Sequence, residues 1–484
     1  MSGIRKAFPG VLAVDSASFK LRRGEIHALV GANGAGKSTL VKILTGVHRA
    51  DAGTMMVNGE QVMIHSPADA QRLGIAAIYQ ELTLVPGLSA SANLFLGHEH
   101  TKATFIDSAF ERKTAIAQFE KLGVTIDPDS LVKDLTVAEQ QLVEIARALL
   151  ADARILVMDE PTAALMPREV ETLFGILREL TSRQVGIVFI GHRLDEILAI
   201  ADRVTIMRDG MTINSCRASE LTRQSLIEQM VGRSLPDEFP KAPPPKDETL
   251  LEVRHLAGGM IHDTSFAVHR GEVLGLAGLM GAGRTELARL IFGADQKDHG
   301  EIILKGRAVK AGSPRQAIGC GICLLTEDRK SQGLVLKASV KDNFALPNLS
   351  AFSRLGWINR PKESVRFLTH VERLNIRIAG PDQPSEDLSG GNQQKLLVAR
   401  WLETQSQVII FDEPTRGIDV GAKYEMYLLI RDLAAEGRAV IMISSELPEV
   451  LGISHRILVM RDGRITGELD PSSATQHDIM ALAG

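Results

Sequence analysis

Gly31-Ala-Asn-Gly-Ala-Gly-Lys-Ser-Thr39 carries the most specific chemistry in the chain. It fits G-x-x-x-x-G-K-[ST], a loop in which Gly31, Asn33, Gly34, Ala35 and Gly36 turn backbone amides toward a polyphosphate. Lys37 is placed to bridge β- and γ-phosphates and Ser38 to hold Mg²⁺, with Thr39 at the end of the same cradle. Asp159 and Glu160 follow the apolar run 155–158. At the end of a buried strand, Asp159 can reach the Mg²⁺ held by Ser38. Glu160 is then suited to polarise an attacking water as general base. Ser389-Gly390-Gly391 opens a helix-like run, 395–403, and its amides and hydroxyl suit a γ-phosphate.

These residues need strands and helices to hold them. Residues 25–30 read as a short buried strand, and 37–45 as a helix that stops at Gly46. Strand, glycine loop and helix N-terminus is the context the loop requires. The chain then repeats itself. Asp51-Ala-Gly53, Asn58-Gly59 and Met158-Asp-Glu-Pro-Thr162 return as His299-Gly300, Lys305-Gly306 and Phe411-Asp-Glu-Pro-Thr415. The offset is 247 from Lys37 to Arg284 and 253 from Asp159 to Asp412, so six residues entered the second copy between these points. Two copies of one domain follow. The expected division is a first domain at 1–235, a proline-rich extended connector at 236–248 and a second domain at 249–484. The connector is long enough to cross a domain face, so the halves could fold back on each other. The first copy looks clipped, with no counterpart before Ile4 for the strand 250–253. Residues 101–134 and 352–378 read as mostly helical, the former with capping-box spacing at Ser108 and Glu111.

Composition excludes several classes. A net charge of −4 gives no electrostatic reason to expect nucleic acid as a partner. No apolar run approaches the ~18 residues of a membrane span, and no signal peptide opens the chain, so a cytosolic protein is expected. Cys320 and Cys323 have half the spacing of a metal site but no second pair, and sit in an apolar run that favours buried thiols.

With LSGGNQQ at 388–394 joined to the phosphate loop and D-E-P-T, the chain resembles the ATP-binding cassette ATPases over essentially all of both halves. That resemblance implies an α/β fold of two tandem P-loop cassettes, each with an α/β core, an antiparallel β subdomain and a helical subdomain. It implies ATP and Mg²⁺ as ligands. It also implies Gln80 as the loop glutamine that reaches Mg²⁺ and links the γ-phosphate to the membrane partner, His192 as the switch histidine near the γ-phosphate and Phe8 as the ring that stacks on adenine. Cassettes of this family pair head to tail, so ATP is expected between the Lys37 loop and the Ser389 turn of the same chain, with the crossing-loop Asp419. The second composite site departs from the pattern. Its loop, Gly278, Gly281, Gly283, Arg284 and Thr285, has Arg for Lys. Glu327 and Ser445 replace Gln and His, and Met166 replaces the crossing-loop Asp. Its opposing turn, Leu135-Thr-Val-Ala, has lost both glycines. Asp412 and Glu413 remain, so binding without hydrolysis is expected there.

Phe8-Pro-Gly-Val11, Met230-Val-Gly-Arg233, Glu327-Asp-Arg-Lys330 and Ser445-Glu-Leu-Pro-Glu449 together resemble the bacterial monosaccharide-import ATPases of the ribose, xylose and galactose type. The resemblance implies a peripheral subunit on the cytoplasmic side of the inner membrane. Its partners would be two permease subunits and, indirectly, a periplasmic substrate-binding protein. Permease contacts are expected near 81–97 and 328–346. A nucleoside or autoinducer importer with the same tandem plan is the closest alternative, and a non-transport tandem ATPase a further one.

Overall fold

A computed structural model of the chain describes all residues except 10, 80, 81, 103, 164, 192 and 233–236, and all but the side chain of Pro167. It separates into two compact units, Met1–Leu235 and Pro236–Gly484.

In the first unit a six-stranded sheet runs Met211–Arg217, Arg203–Arg208, Ile26–Gly31, Gly186–Ile190, Ile155–Asp159, Ile75–Ile78. All neighbours are parallel except the first pair. The central strands are buried on both faces, which is why 26–31 and 186–190 read as unbroken apolar runs rather than alternating ones. Leu40, Val41 and Ile43 of the helix Lys37–Leu44 pack into the core with Val157, Val188, Ile190 and Met207. That packing fixes the helix start, and with it the loop, against the carboxyl ends of the strands, the usual ligand edge of such sheets.

A second, antiparallel sheet runs Val11–Ala17, Ser2–Phe8, Ala52–Val57, Glu60–Val62. Asn58 and Gly59, both at positive φ, make the two-residue turn in which Val57 pairs with Glu60. The expected gap at the start of this copy is absent. Ser2–Phe8 holds the place that Thr249–Gly258 holds in the second unit, and differs in being 7 residues long rather than 10.

The helical portion is smaller than expected. Between 101 and 134 lie a short hairpin, Thr101–Lys102 with Phe105–Ile106, the helix Ser108–Lys121 and a turn of 3-10 helix. The cap is Asp107, whose carboxylate accepts the Phe110 N–H, while Glu111 accepts from His100 N instead of closing a box at Ser108. Residues 352–378 follow the same plan, a hairpin of Ser353–Arg354 with Trp357–Ile358 before the helix Arg360–Arg373.

The second unit repeats both sheets, its core running Ile322–Leu325, Val408–Asp412, Ala439–Ile443, Val273–Ala277, Arg456–Arg461, Arg464–Leu469. Cys323 is buried in this core and its thiol is pushed up to about 12 by burial, whereas Cys320 is exposed, against expectation. The connector is docked rather than free. Phe239 packs on Tyr427 with ring centroids 5.4 Å apart, and a Cβ at Gly452 would lie 2.2 Å from Phe239 Cγ. Further on, Lys246 N donates to Arg270 O at 2.8 Å and Arg270 N to Glu248 O at 2.7 Å. His455 accepts the Val273 N–H on Nδ1, so its Nε2 carries the proton and donates to Pro243 O at 3.0 Å. No helix among the described residues is long and apolar enough to cross a membrane.

Candidate nucleotide site

Gly36 caps the loop helix at φ 94°, and a Cβ there would meet Ala13 O at 2.5 Å. Only glycine fits that corner, which swings the following amides into one concavity. The Lys37 ammonium folds back over the loop and donates to Gly31 O at 2.7 Å and Ala32 O at 3.0 Å. Asp159 ends its strand, and the next residue, Glu160, sits in the left-handed region at φ 52°. Its N–H donates to Ile190 O at 2.9 Å, tying the turn to the neighbouring strand. A left-handed glutamate costs about 1–2 kcal/mol. Glu413 repeats this at φ 49°, bonded to Ile443 O.

Phe8 ends its strand, is 37% exposed and meets the His48 ring edge-on at 5.2 Å. Lys6 Nζ lies 5.5 Å from the Phe8 centroid and is held by Asp51, which also accepts the Ala7 N–H. Gln80 and His192 lie outside the described residues, as does Arg233.

The signature turn differs from its sequence reading in one respect. The helix begins at Gly390, not after the glycines, so Ser389 is its N-cap and both glycines form its first turn. The Ser389 side chain accepts none of its helix's backbone N–H groups; its Oγ accepts from Asn392 Nδ2 at 2.9 Å. Asn392 in turn accepts the Arg377 N–H. The corresponding turn in the first unit is built to opposite effect. Thr136 caps the helix Val137–Leu150 in a closed capping box, its Oγ accepting the Glu139 N–H at 3.3 Å. Glu139 Oε2 receives the Thr136 N–H at 2.8 Å and hydroxyl at 2.9 Å. A carboxylate thus already sits at that positive helix end, and Val137 puts a side chain where the second unit has Gly390.

In the second unit, Arg284 Nη1 donates to Ser444 O at 2.8 Å and lies 3.9 Å from Glu413, with both side chains largely buried. The Ser445 hydroxyl donates to the other oxygen of Glu413 at 3.1 Å. The residues expected to act on phosphate are here engaged with one another. Thr285 Oγ donates to Asp412 Oδ1 at 3.2 Å, and burial pushes Asp412 up to about 6. Burial likewise raises Glu413, against the opposing pull of Arg284.

Several contributors escaped sequence reading. Arg329, two residues past Glu327, reaches Gly390 O at 3.1 Å, and Arg416 pairs with Glu327 itself. Asp419, expected from the sequence in the crossing loop, is in addition an N-cap, accepting the Ala422 N–H at 3.0 Å, a place that exposed Met166 takes in the first unit. Asn93 and Asn343, both fully buried, pin equivalent loops by bonds to Val85 and Val335. A lone asparagine in a polar stretch gives no sequence signal for this.

The ABC transporter family profile matches residues 14–163 and 261–416. A ribose import ATP-binding protein, RbsA 3 of Rubrobacter xylanophilus, is 49% identical over 100% of this chain and 97% of its own length. A putative ribose/galactose/methyl galactoside import ATP-binding protein of Albidiferax ferrireducens is 50% identical over 100% of this chain and 97% of its own. Among solved structures, one described as ribosome-bound archaeal Pelota and ABCE1 aligns with 99% of this chain and 80% of its own, at TM-score 0.64 and 19% identity, a likeness of fold. With its two phosphate loops, two D-E-P-T strand ends and full-length relatives, the chain belongs to the ABC transporter family.

Proposed function

We propose that this chain is the ATP-hydrolysing subunit of a bacterial monosaccharide importer of the ribose or galactose kind. It would work on the cytoplasmic face of the inner membrane, beneath two permease subunits supplied by a periplasmic binding protein. The observation that carries this reading is the 49% and 50% identity, along the whole chain, to relatives named for ribose and ribose/galactose/methyl galactoside import. Those names favour a sugar over a nucleoside or autoinducer. The cassette boundaries stay at 1–235 and 249–484, supported by the two compact units, with 236–248 strapped to the second.

In the mechanism we propose, the loop amides take the triphosphate and the Lys37 ammonium exchanges its two carbonyl bonds for β- and γ-oxygens. Phe8 takes the adenine. Ser38 and Asp159 are hard oxygen donors that suit Mg²⁺, and their counterparts Thr285 and Asp412 stand within 3.2 Å of each other. The ion, when bound, neutralises phosphate charge. Glu160 withdraws a proton as water attacks the γ-phosphorus, and the bond to the β–γ bridging oxygen breaks with its electron pair leaving on ADP. Gln80 and His192 keep the roles their family resemblance implies. Ser389, Gly390 and Gly391 complete the γ-phosphate's surroundings, a pairing supported by the sequence, which gathers every intact motif into that one set. The Arg284 set is proposed to bind without hydrolysing.

Glu160→Gln tests the site: it should abolish steady-state hydrolysis while ATP binding persists. Turnover comparable to the parent's would remove Glu160 from its role. Reconstitution with the neighbouring permease genes' products in proteoliposomes tests the cargo. ATP-dependent uptake of labelled ribose or galactose is expected, and uptake confined to a nucleoside would reject the sugar assignment.

A further inference from the structure

The first unit has a cleft at the base of its core sheet, at the strand ends away from Lys37. At the equivalent strand ends of the second unit the connector is bound. His455 holds the Pro243 carbonyl, and Arg270 anchors Glu248 both through backbone bonds and through its guanidinium, with Nε to Oε2 at 2.6 Å. Arg456 is neutralised by Glu272 at 2.9 Å and Glu468 at 3.1 Å. Asp470 is held low by the Ser472 N–H and hydroxyl and by the charge of Lys241, a connector residue.

The first unit keeps this architecture and inverts its charge. Asp202 stands for His455 and performs the same structural task, accepting the Ile26 N–H at 2.8 Å. Arg203 stands for Arg456, but Ser215 replaces Glu468, and the Arg203 guanidinium donates to the Ser215 carbonyl at 3.2 Å. Arg217 replaces Asp470, and Arg22 adds a third guanidinium. Glu25 is drawn to the Arg22 N–H at 2.8 Å. Among the described residues none of these three arginines has a carboxylate within ion-pair distance. They line an open cleft of about 350 Å³ together with Glu25, Asp202 and Ser219.

The second unit supplies the shape of an occupant, an extended chain segment. The exchanges of Asp470 for Arg217 and Glu468 for Ser215 supply its sign. We propose that this cleft is a docking site for an acidic, extended peptide segment of a partner protein, seated on Arg22, Arg203 and Arg217 as the connector is seated in the second unit. It is independent of the transport assignment. Guanidinium–carboxylate bonds made in a partly enclosed cleft are of the strong, charge-assisted kind.

The test uses the full chain, with Mg²⁺ and ATPγS saturating so that the phosphate loop is not available to the probe. Fluorescein-labelled hexaglutamate should bind saturably by fluorescence anisotropy, and labelled hexalysine should not. Arg217→Asp, which installs the residue of the second unit at an exposed strand end, should weaken binding about tenfold while melting temperature and basal hydrolysis stay unchanged. If that variant melts early, Arg217→Gln takes its place with the same expectation. Absence of saturable hexaglutamate binding, or binding indifferent to both variants, overturns the proposal. So does tripolyphosphate binding that responds to Arg217→Asp while hexaglutamate does not bind, which would make the cleft a phosphate site.

Discussion

Thr136→Ala and Ser389→Ala remove the same hydroxyl from equivalent helix N-caps, yet they should fail in different assays. Thr136 is spent on its own helix, giving and receiving bonds with Glu139. Losing such a cap costs about 1 kcal/mol, which for a unit of this size lowers its melting temperature by about 2–4 °C. Because the box already places a carboxylate at that helix end, no phosphate contact is lost with it, and hydrolysis should be unchanged. The Ser389 hydroxyl accepts no backbone N–H of its helix and takes only the Asn392 side-chain amide at an exposed position. Its removal should shift stability by no more than about 0.5 kcal/mol. A hydrogen bond from its hydroxyl to a charged γ-phosphate is worth about 1.5–3 kcal/mol, so kcat/KM should fall about 10- to 150-fold. Differential scanning calorimetry of both variants, beside coupled-enzyme hydrolysis rates over an ATP titration, separates the two effects. Equal losses of kcat/KM, or a stability loss without a rate loss for Ser389→Ala, would refute the division of labour.

Arg284→Lys should not create a second active site, because the turn proposed to complete that site still carries Glu139 and Val137; doubled turnover in that single variant would show the obstruction to be imaginary. Asp412→Asn tests the buried acid. Its carboxyl, raised from 3.8 to about 6, is favoured neutral in the fold, so the native state binds the extra proton between those values and stability falls as pH rises through them. The variant should therefore be more stable than the parent at pH 7.5, by up to about 3 kcal/mol, with the advantage gone below pH 4; a difference that does not change with pH would reject this. Gly452→Ala should evict Phe239 from its notch while leaving the helix intact, since alanine is the better helix former. Trypsin should then cut after Lys241 and Lys246 faster than in the parent, and unchanged cleavage would mean the connector does not depend on that contact.

Much of this was legible because it is local. The loop 31–39 and the strand ends at Asp159 and Asp412 announce themselves within a dozen residues, since buried parallel strands must be apolar and tight turns need glycine. The Thr136-x-x-Glu139 box was equally readable in principle, as the same pattern expected at Ser108, where Asp107 took the cap instead. What stayed hidden depends on residues far apart in the chain. The docked connector joins His455 to Pro243 across 212 positions, and the charge-inverted cleft emerges only when Arg217 and Asp470 are seen at the same corner of two sheets. The first strand was misjudged because its counterpart is three residues longer, which shifted the apparent start without removing the element.

The left-handed turn at Glu160 and Glu413 has a consequence for anyone reading mutational scans of this chain. The kink survives in the copy whose glutamate is already engaged by arginine and serine, so it belongs to the way the chain leaves the sheet and not to the chemistry. Valine or isoleucine at either position would fail first through the backbone, and a dead Glu160→Val enzyme would say nothing about proton transfer. Glutamine and other unbranched residues strain the corner no more than the native glutamate does, and asparagine and glycine less, so these can report on the missing carboxylate.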